Sequence, residues 1–213
     1  MAWPLQTWRP MGNWRIRVLV VCSALCVLNV CGLARAEDAN ASPHSLWVKA
    51  LYVPKPYFLP SNNDGYHSLQ FSGGDHVGVA AGYGYRIAES ISLGVAATIR
   101  GYPGGAGYES ANVFSVPLLV SFDPHLSQSV RLMMTAGLGY QHGWGNRTYS
   151  GEGWQSNGLE AMAELGVAVR VAPKFELLST VGVSGGVGAR KDTNDEGFFS
   201  LAVPIGLGMR YAL

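Results

Sequence analysis

The chain has 213 residues, of which 48% are hydrophobic and only 14% charged, and its 28 glycines are dispersed rather than gathered in one tract. This composition excludes a disordered chain and fits one domain, and beyond residue 36 no run reaches the ~20 uninterrupted apolar residues that a membrane helix needs. The formal charge of +1 falls to −3 once the leader is removed, because Arg9, Arg15, Arg17 and Arg35 leave with it and 11 basic residues remain against 14 acidic ones; nothing in that balance suggests nucleic acid.

Residues 1–36 read as a cleaved secretory signal peptide. Arg9, Arg15 and Arg17 form a cationic region, Val18 to Leu33 is apolar, and Ala34-Arg35-Ala36 is an A-x-A cleavage site that leaves Glu37 first. Met11 is an alternative initiator, and an uncleaved anchor helix is the alternative fate of the segment. Cys31 as a lipoprotein cysteine is disfavoured because Val30 before it is not small. All three cysteines, Cys22, Cys26 and Cys31, lie in the leader, so the mature chain has no disulfide and no cysteine-based metal site. A polar lead over residues 37–44 precedes one domain spanning 45–213.

Within that domain the first predicted strand is Ser45 to Val53, with Leu46, Val48, Ala50 and Tyr52 on one face and Lys49 on the other. Pro54 to Asp75 carries Pro54, Pro56, Pro60 and an Asn-Asn-Asp-Gly run, and reads as a long loop. Strand two, His76 to Ile87, sets Val77, Val79, Ala81, Tyr83, Tyr85 and Ile87 against Gly78, Ala80, Gly82, Gly84 and Arg86. Strand three, Ile91 to Tyr102, alternates in the same way and places Arg100 with Gly94 and Thr98. Strand four runs from about Val113 to Phe122; its Pro117 is tolerable only at a bulge or a weakly paired position. Strand five, Val130 to Trp144, opposes Leu132, Leu138, Tyr140, His142 and Trp144 to Arg131, Gly137 and Gln141. Strand six is Leu159 to Val171 with Glu160, Glu164 and Arg170 on its small and polar face, and strand seven is Phe175 to about Gly188.

The last strand, Phe199 to Leu213, shows the pattern most sharply. Phe199, Leu201, Val203, Ile205, Leu207, Met209, Tyr211 and Leu213 share one face, and Ser200, Ala202, Pro204, Gly206, Gly208, Arg210 and Ala212 the other. A strand sends successive side chains to opposite faces. Large apolar residues facing lipid, with small and isolated charged residues filling a narrow interior, satisfy both faces. The prediction is therefore an all-β, eight-stranded antiparallel up-and-down transmembrane β-barrel. Connections one, three, five and seven are long and polar while two, four and six are short, which puts both termini at the periplasmic end. Aromatics form two girdles: Tyr83, Tyr85, Phe122, Phe175 and Tyr211 at that end, and Tyr52, Phe114, Tyr140, Trp144 and Phe199 at the other.

On this pattern and topology, Ser45 to Leu213 resembles the small eight-stranded outer-membrane barrels of the OmpA and OmpX type. Gly208-x-x-Tyr211-x-Leu213 resembles the C-terminal signal by which barrel-assembly machinery recognises its clients, with Leu in place of the usual final Phe and Gly206 where a polar residue is often found. The resemblance implies an outer-membrane location in a Gram-negative-type envelope, contact with outer-membrane lipid and lipopolysaccharide, a monomer, no cofactor, and a structural or surface-interaction role with an unknown ligand.

The inward charges are Lys49, Arg86, Arg100, Arg131, Glu160, Glu164, Arg170, Glu176 and Arg210. Buried charges must pair, and strand position predicts Lys49 with Glu164 at mid-height and Arg100 with Glu160 nearer the outside; Arg86, Arg131, Arg170, Glu176 and Arg210 fall near the periplasmic rim. A barrel of this size is about wide enough to be filled by its own side chains, so the lumen reads as a polar plug, with a narrow gated ion path as the alternative. His142 lies outward beside Trp144, where a lipid-modifying enzyme such as a lipid A deacylase would place a general base, yet no outward Ser stands at its height on strands four or six. His44, His67, His76 and His125 lack metal-ligand spacing, and Gly104-Gly105 and Gly185-Gly186 lack the Lys-Ser or Lys-Thr of a phosphate loop. Tyr57, Phe58, Tyr66 and Phe71 make the first long loop aromatic and a candidate recognition surface. A soluble lipocalin-like barrel is the remaining rival.

Overall fold

The computed structural model describes residues 42–54, 57–60, 70–71, 75–105, 108–147, 153–190 and 197–213. The leader and most of the lead therefore lie outside the described residues. The chain forms β1 (His44–Val53), β2 (Tyr57–Pro60), β3 (Gln70–Phe71), β4 (His76–Ala88), β5 (Ile91–Gly105), β6 (Tyr108–Phe122), β7 (Val130–Arg147), β8 (Gly153–Ala172), β9 (Phe175–Arg190), β10 (Gly197–Ala202) and β11 (Ile205–Ala212).

Pairing is antiparallel throughout and runs β1, β4, β5, β6, β7, β8, β9, β11 and back to β1, so eight strands close on themselves. Closure leaves that ring without an edge, which a barrel in lipid requires. The two faces match the alternation: Val77 is 75% exposed and Leu118 70%, whereas Arg100 is 3% and Gln141 0% exposed. Apolar outside and polar inside is the reverse of a lipocalin, and so continuous an apolar surface is expected against lipid.

Three features depart from the sequence expectation. The long first loop contains β2 and β3, and β2 pairs with β10. The last strand is interrupted at Val203-Pro204, although Gly182 N still donates to Pro204 O at 2.9 Å and both halves keep one register against β9. Several strands run further than the apolar alternation: β6 starts at Tyr108, β8 at Gly153, and β9 reaches Arg190. The reason is physical. A ladder is held by backbone hydrogen bonds and continues beyond the lipid, where side-chain alternation is no longer demanded.

Pro117 sits inside β6, paired with Gly139 of β7, while the β5 ladder skips from Val95↔Leu118 to Thr98↔Ser115 without a change of register. The missing N–H is thus accommodated by a gap in one ladder. A Cβ on Gly139 would collide with the backbone of Val116 and Pro117. Gly139→Val is expected to destabilise the barrel by about 1–3 kcal/mol, read as a lower denaturant midpoint in detergent. The wild-type chain refolded in detergent should migrate faster unboiled than boiled; a soluble, detergent-independent species with no such shift would contradict the lipid-facing assignment.

Candidate functional site

The side chains that carry chemistry converge in the lumen, and they do so in layers. In the middle, Lys49 of β1 pairs with Glu164 of β8, with side chains 4% and 8% exposed. Lys49 Nζ also lies 4.8 Å from the centre of the Trp47 ring. Two residues apart on one strand, Trp47 and Lys49 point the same way, so the ring caps the ammonium from the short-turn side. Met133, Ala168 and Leu178 pack together beneath, against Trp47.

Toward the long-loop end, Arg100 of β5 donates through Nη2 to Glu160 Oε1 at 2.6 Å and through Nη1 to Ser184 Oγ at 2.6 Å. Gln141, fully buried, donates to Ser200 Oγ at 3.4 Å. Toward the short-turn end, Arg210 donates through Nε to Glu176 Oε2 and through Nη1 to Asp123 Oδ2, both at 2.6 Å. Arg131 Nε stands 3.5 Å from Glu176 Oε1. Glu176 faces Arg210 and Arg170 directly across its two ladders. Arg86 and Arg170 line the same cavity of about 50 Å³.

All nine predicted lumenal charges therefore face inward, in three groups. Sequence reasoning did not pick out Asp123, Trp47, Gln141 or Ser184 as partners. Asp123 lies just past the end of β6, in the connection that the sequence places after Phe122. Of the C-terminal residues, Gly208 lies opposite Lys49, Tyr211 packs on Phe175 with ring centres 4.8 Å apart, and Leu213 N donates to His44 O at 3.0 Å.

On the outer surface His142 stacks on Trp144 with ring centres 5.5 Å apart, and its Nδ1 is 2.9 Å from Asn157 Oδ1, an atom that also accepts from Tyr140 OH at 2.5 Å. Asparagine is not a nucleophile. The Tyr140 hydroxyl of this cluster donates to Asn157 and not to His142, so the asparagine orients the imidazole. Among the described residues no group of three or more His, Cys, Asp or Glu could hold a metal ion.

No family model matches the chain, and no curated protein matches it. Solved structures do. Neisserial surface protein A (NspA) aligns over 82% of this chain and 100% of its own at 16% identity, with a TM-score of 0.53. The outer membrane protein OprG from Pseudomonas aeruginosa aligns over 81% of this chain and 97% of its own at 10% identity, with a TM-score of 0.56. The fold is that of the small outer-membrane β-barrels, the type that the alternation and loop lengths resemble.

Glu164→Gln leaves the Lys49 ammonium buried without a counter-charge and is expected to cost about 3–5 kcal/mol. Adding Lys49→Met should recover more than half of that loss. A denaturant titration of both variants in detergent checks the coupling, and equal stability of the single and double variants would contradict it.

Proposed function

We propose that the protein is a monomeric outer-membrane barrel with a closed polar lumen, whose role is structural or surface-interactive through its long-loop end. The observation that carries this reading is the filling of the lumen. Among the described residues, cavities of about 50, 40 and 20 Å³ lie between the charge layers, lined by residues of the neighbouring pairs. A hydrated ion needs more room than such spaces offer. Contact with lipid and lipopolysaccharide is supported by the apolar belt and its aromatic ends, and insertion through barrel-assembly machinery by the Gly208, Tyr211 and Leu213 terminus.

Two measurements test the proposal. In planar bilayers the folded protein is expected to show no steady conductance, and Glu164→Gln is expected to add at most brief openings; a stable wild-type conductance would favour the gated channel. Incubation with labelled lipopolysaccharide is expected to yield no acyl release. Release that disappears in His142→Ala would overturn the non-enzymatic reading.

A further inference from the structure

The outward face of β7 changes character where the apolar belt ends. Leu138 is the last aliphatic residue on that face, and Tyr140, His142 and Trp144 take the next outward positions. Thr135 of β7 lies opposite Glu164, the mid-lumen carboxylate, and Tyr140 stands five residues further along the strand. At ~3.3 Å per residue and a strand tilt of about 40°, that is a rise of roughly 13 Å, half the height of an apolar band of about 25 Å. Tyr140 therefore marks the edge of the hydrocarbon, and Trp144 reaches the headgroup layer.

Carboxamides flank these rings on both neighbouring strands. The registers put Asn157 of β8 opposite His142, and Gln155 of β8 and Asn112 of β6 opposite Trp144. Tyr140 is 47% exposed, and Gln155 and Asn157 are exposed with it. Asn157 Oδ1 accepts from Tyr140 OH and, because an amide oxygen cannot donate, from His142 Nδ1–H. Those two bonds engage neither the amide N–H groups of Asn157 nor His142 Nε2. The His142–Trp144 stack, its planes 23° apart, holds the rings in fixed orientation. Uncharged donors and acceptors beside fixed aromatic faces suit a ring with hydroxyls at its rim and C–H bonds on its faces, which describes a pyranose. A phosphate headgroup calls instead for Arg or Lys, and none of these side chains is either. We propose, on the lipid-contact reading given above, that this patch binds the sugar headgroup of an outer-leaflet glycolipid, seated on Tyr140, His142 and Trp144 with the Asn157 amide donating to its hydroxyls.

The test follows the Trp144 indole N–H resonance of the folded protein in phosphatidylcholine nanodiscs titrated with glucosyl diacylglycerol, an uncharged lipid that carries one sugar. Saturable shifts are expected, with the response roughly tenfold weaker in Asn157→Leu, about the loss of one hydrogen bond. Lys174→Gln, in the turn between β8 and β9 at the other end of the barrel, should leave the response unchanged. A response no stronger than that to phosphatidylglycerol, or an equal response in Asn157→Leu, would overturn the proposal. So would shifts that follow protein concentration and not glycolipid, the mark of a second copy on this face. Should Asn157→Leu lose its gel-mobility shift, the wild-type preference for glucosyl diacylglycerol over phosphatidylglycerol decides alone. A chain that does not enter nanodiscs overturns the membrane reading and this proposal together; one that enters and gives no glycolipid response overturns this proposal only.

Discussion

Closure of eight strands into one ring governs everything inside it, because at mid-height the lumen has little room for two long side chains side by side on neighbouring strands. At mid-lumen the long charged chains accordingly have glycine beside them. A Cβ on Gly182 would stand 2.8 Å from Glu164 Cγ, one on Gly208 2.8 Å from Lys49 Cγ, and one on Gly78 3.0 Å from Arg100 Cγ. The small face of the alternation is thus the complement of a few large residues. Its glycines are spaces that Lys49, Glu164 and Arg100 occupy.

Confinement also decides how the charges are satisfied. A lysine or arginine at mid-lumen has no route by which to extend into water, so its head group must find a counter-charge within reach. Lys49 on β1 and Glu164 on β8 are three strands apart around the ring, as are Arg100 on β5 and Glu160 on β8. These bonds therefore span the lumen instead of reinforcing one ladder. They tie facing walls together. Arg210 and Glu176, by contrast, are ladder partners on adjacent strands. That pair fixes the mouth locally.

Period-two alternation made the ring legible, since one residue of slip would reverse every side chain. The same parity puts Lys49, Arg100, Glu160 and Glu164 inside and permits an estimate of their heights. It fails where lipid no longer imposes it. β2 and β3 lie among prolines and polar residues, and the outer ends of β6 and β8 have no apolar rhythm, so backbone pairing there has no side-chain signature. Asp123 lies in a connection, as its place in the sequence indicates, but its partner is not legible there. Beyond the strand end no parity applies, and only the fold brings it to Arg210.

The unsignalled outer ladders bear on what the long-loop end can do. β7 and β8 remain paired as far as Asn146↔Gly153, and β5 and β6 as far as Gly105↔Tyr108. On the other side, Tyr52↔Ile205 gives way to Tyr57↔Leu201, an advance of five residues on one strand against four on its partner. That one-residue slip falls where Pro54 and Pro204 withhold their N–H groups, so the prolines mark the place at which the lipid-facing register ends. Beyond it, β2 adds to β10 under a register of its own. The barrel is thereby prolonged past its apolar belt as paired backbone, freed from the lipid's demand for alternation. The recognition role proposed above is placed at that end because its backbone pairing is independent of the lipid-facing alternation.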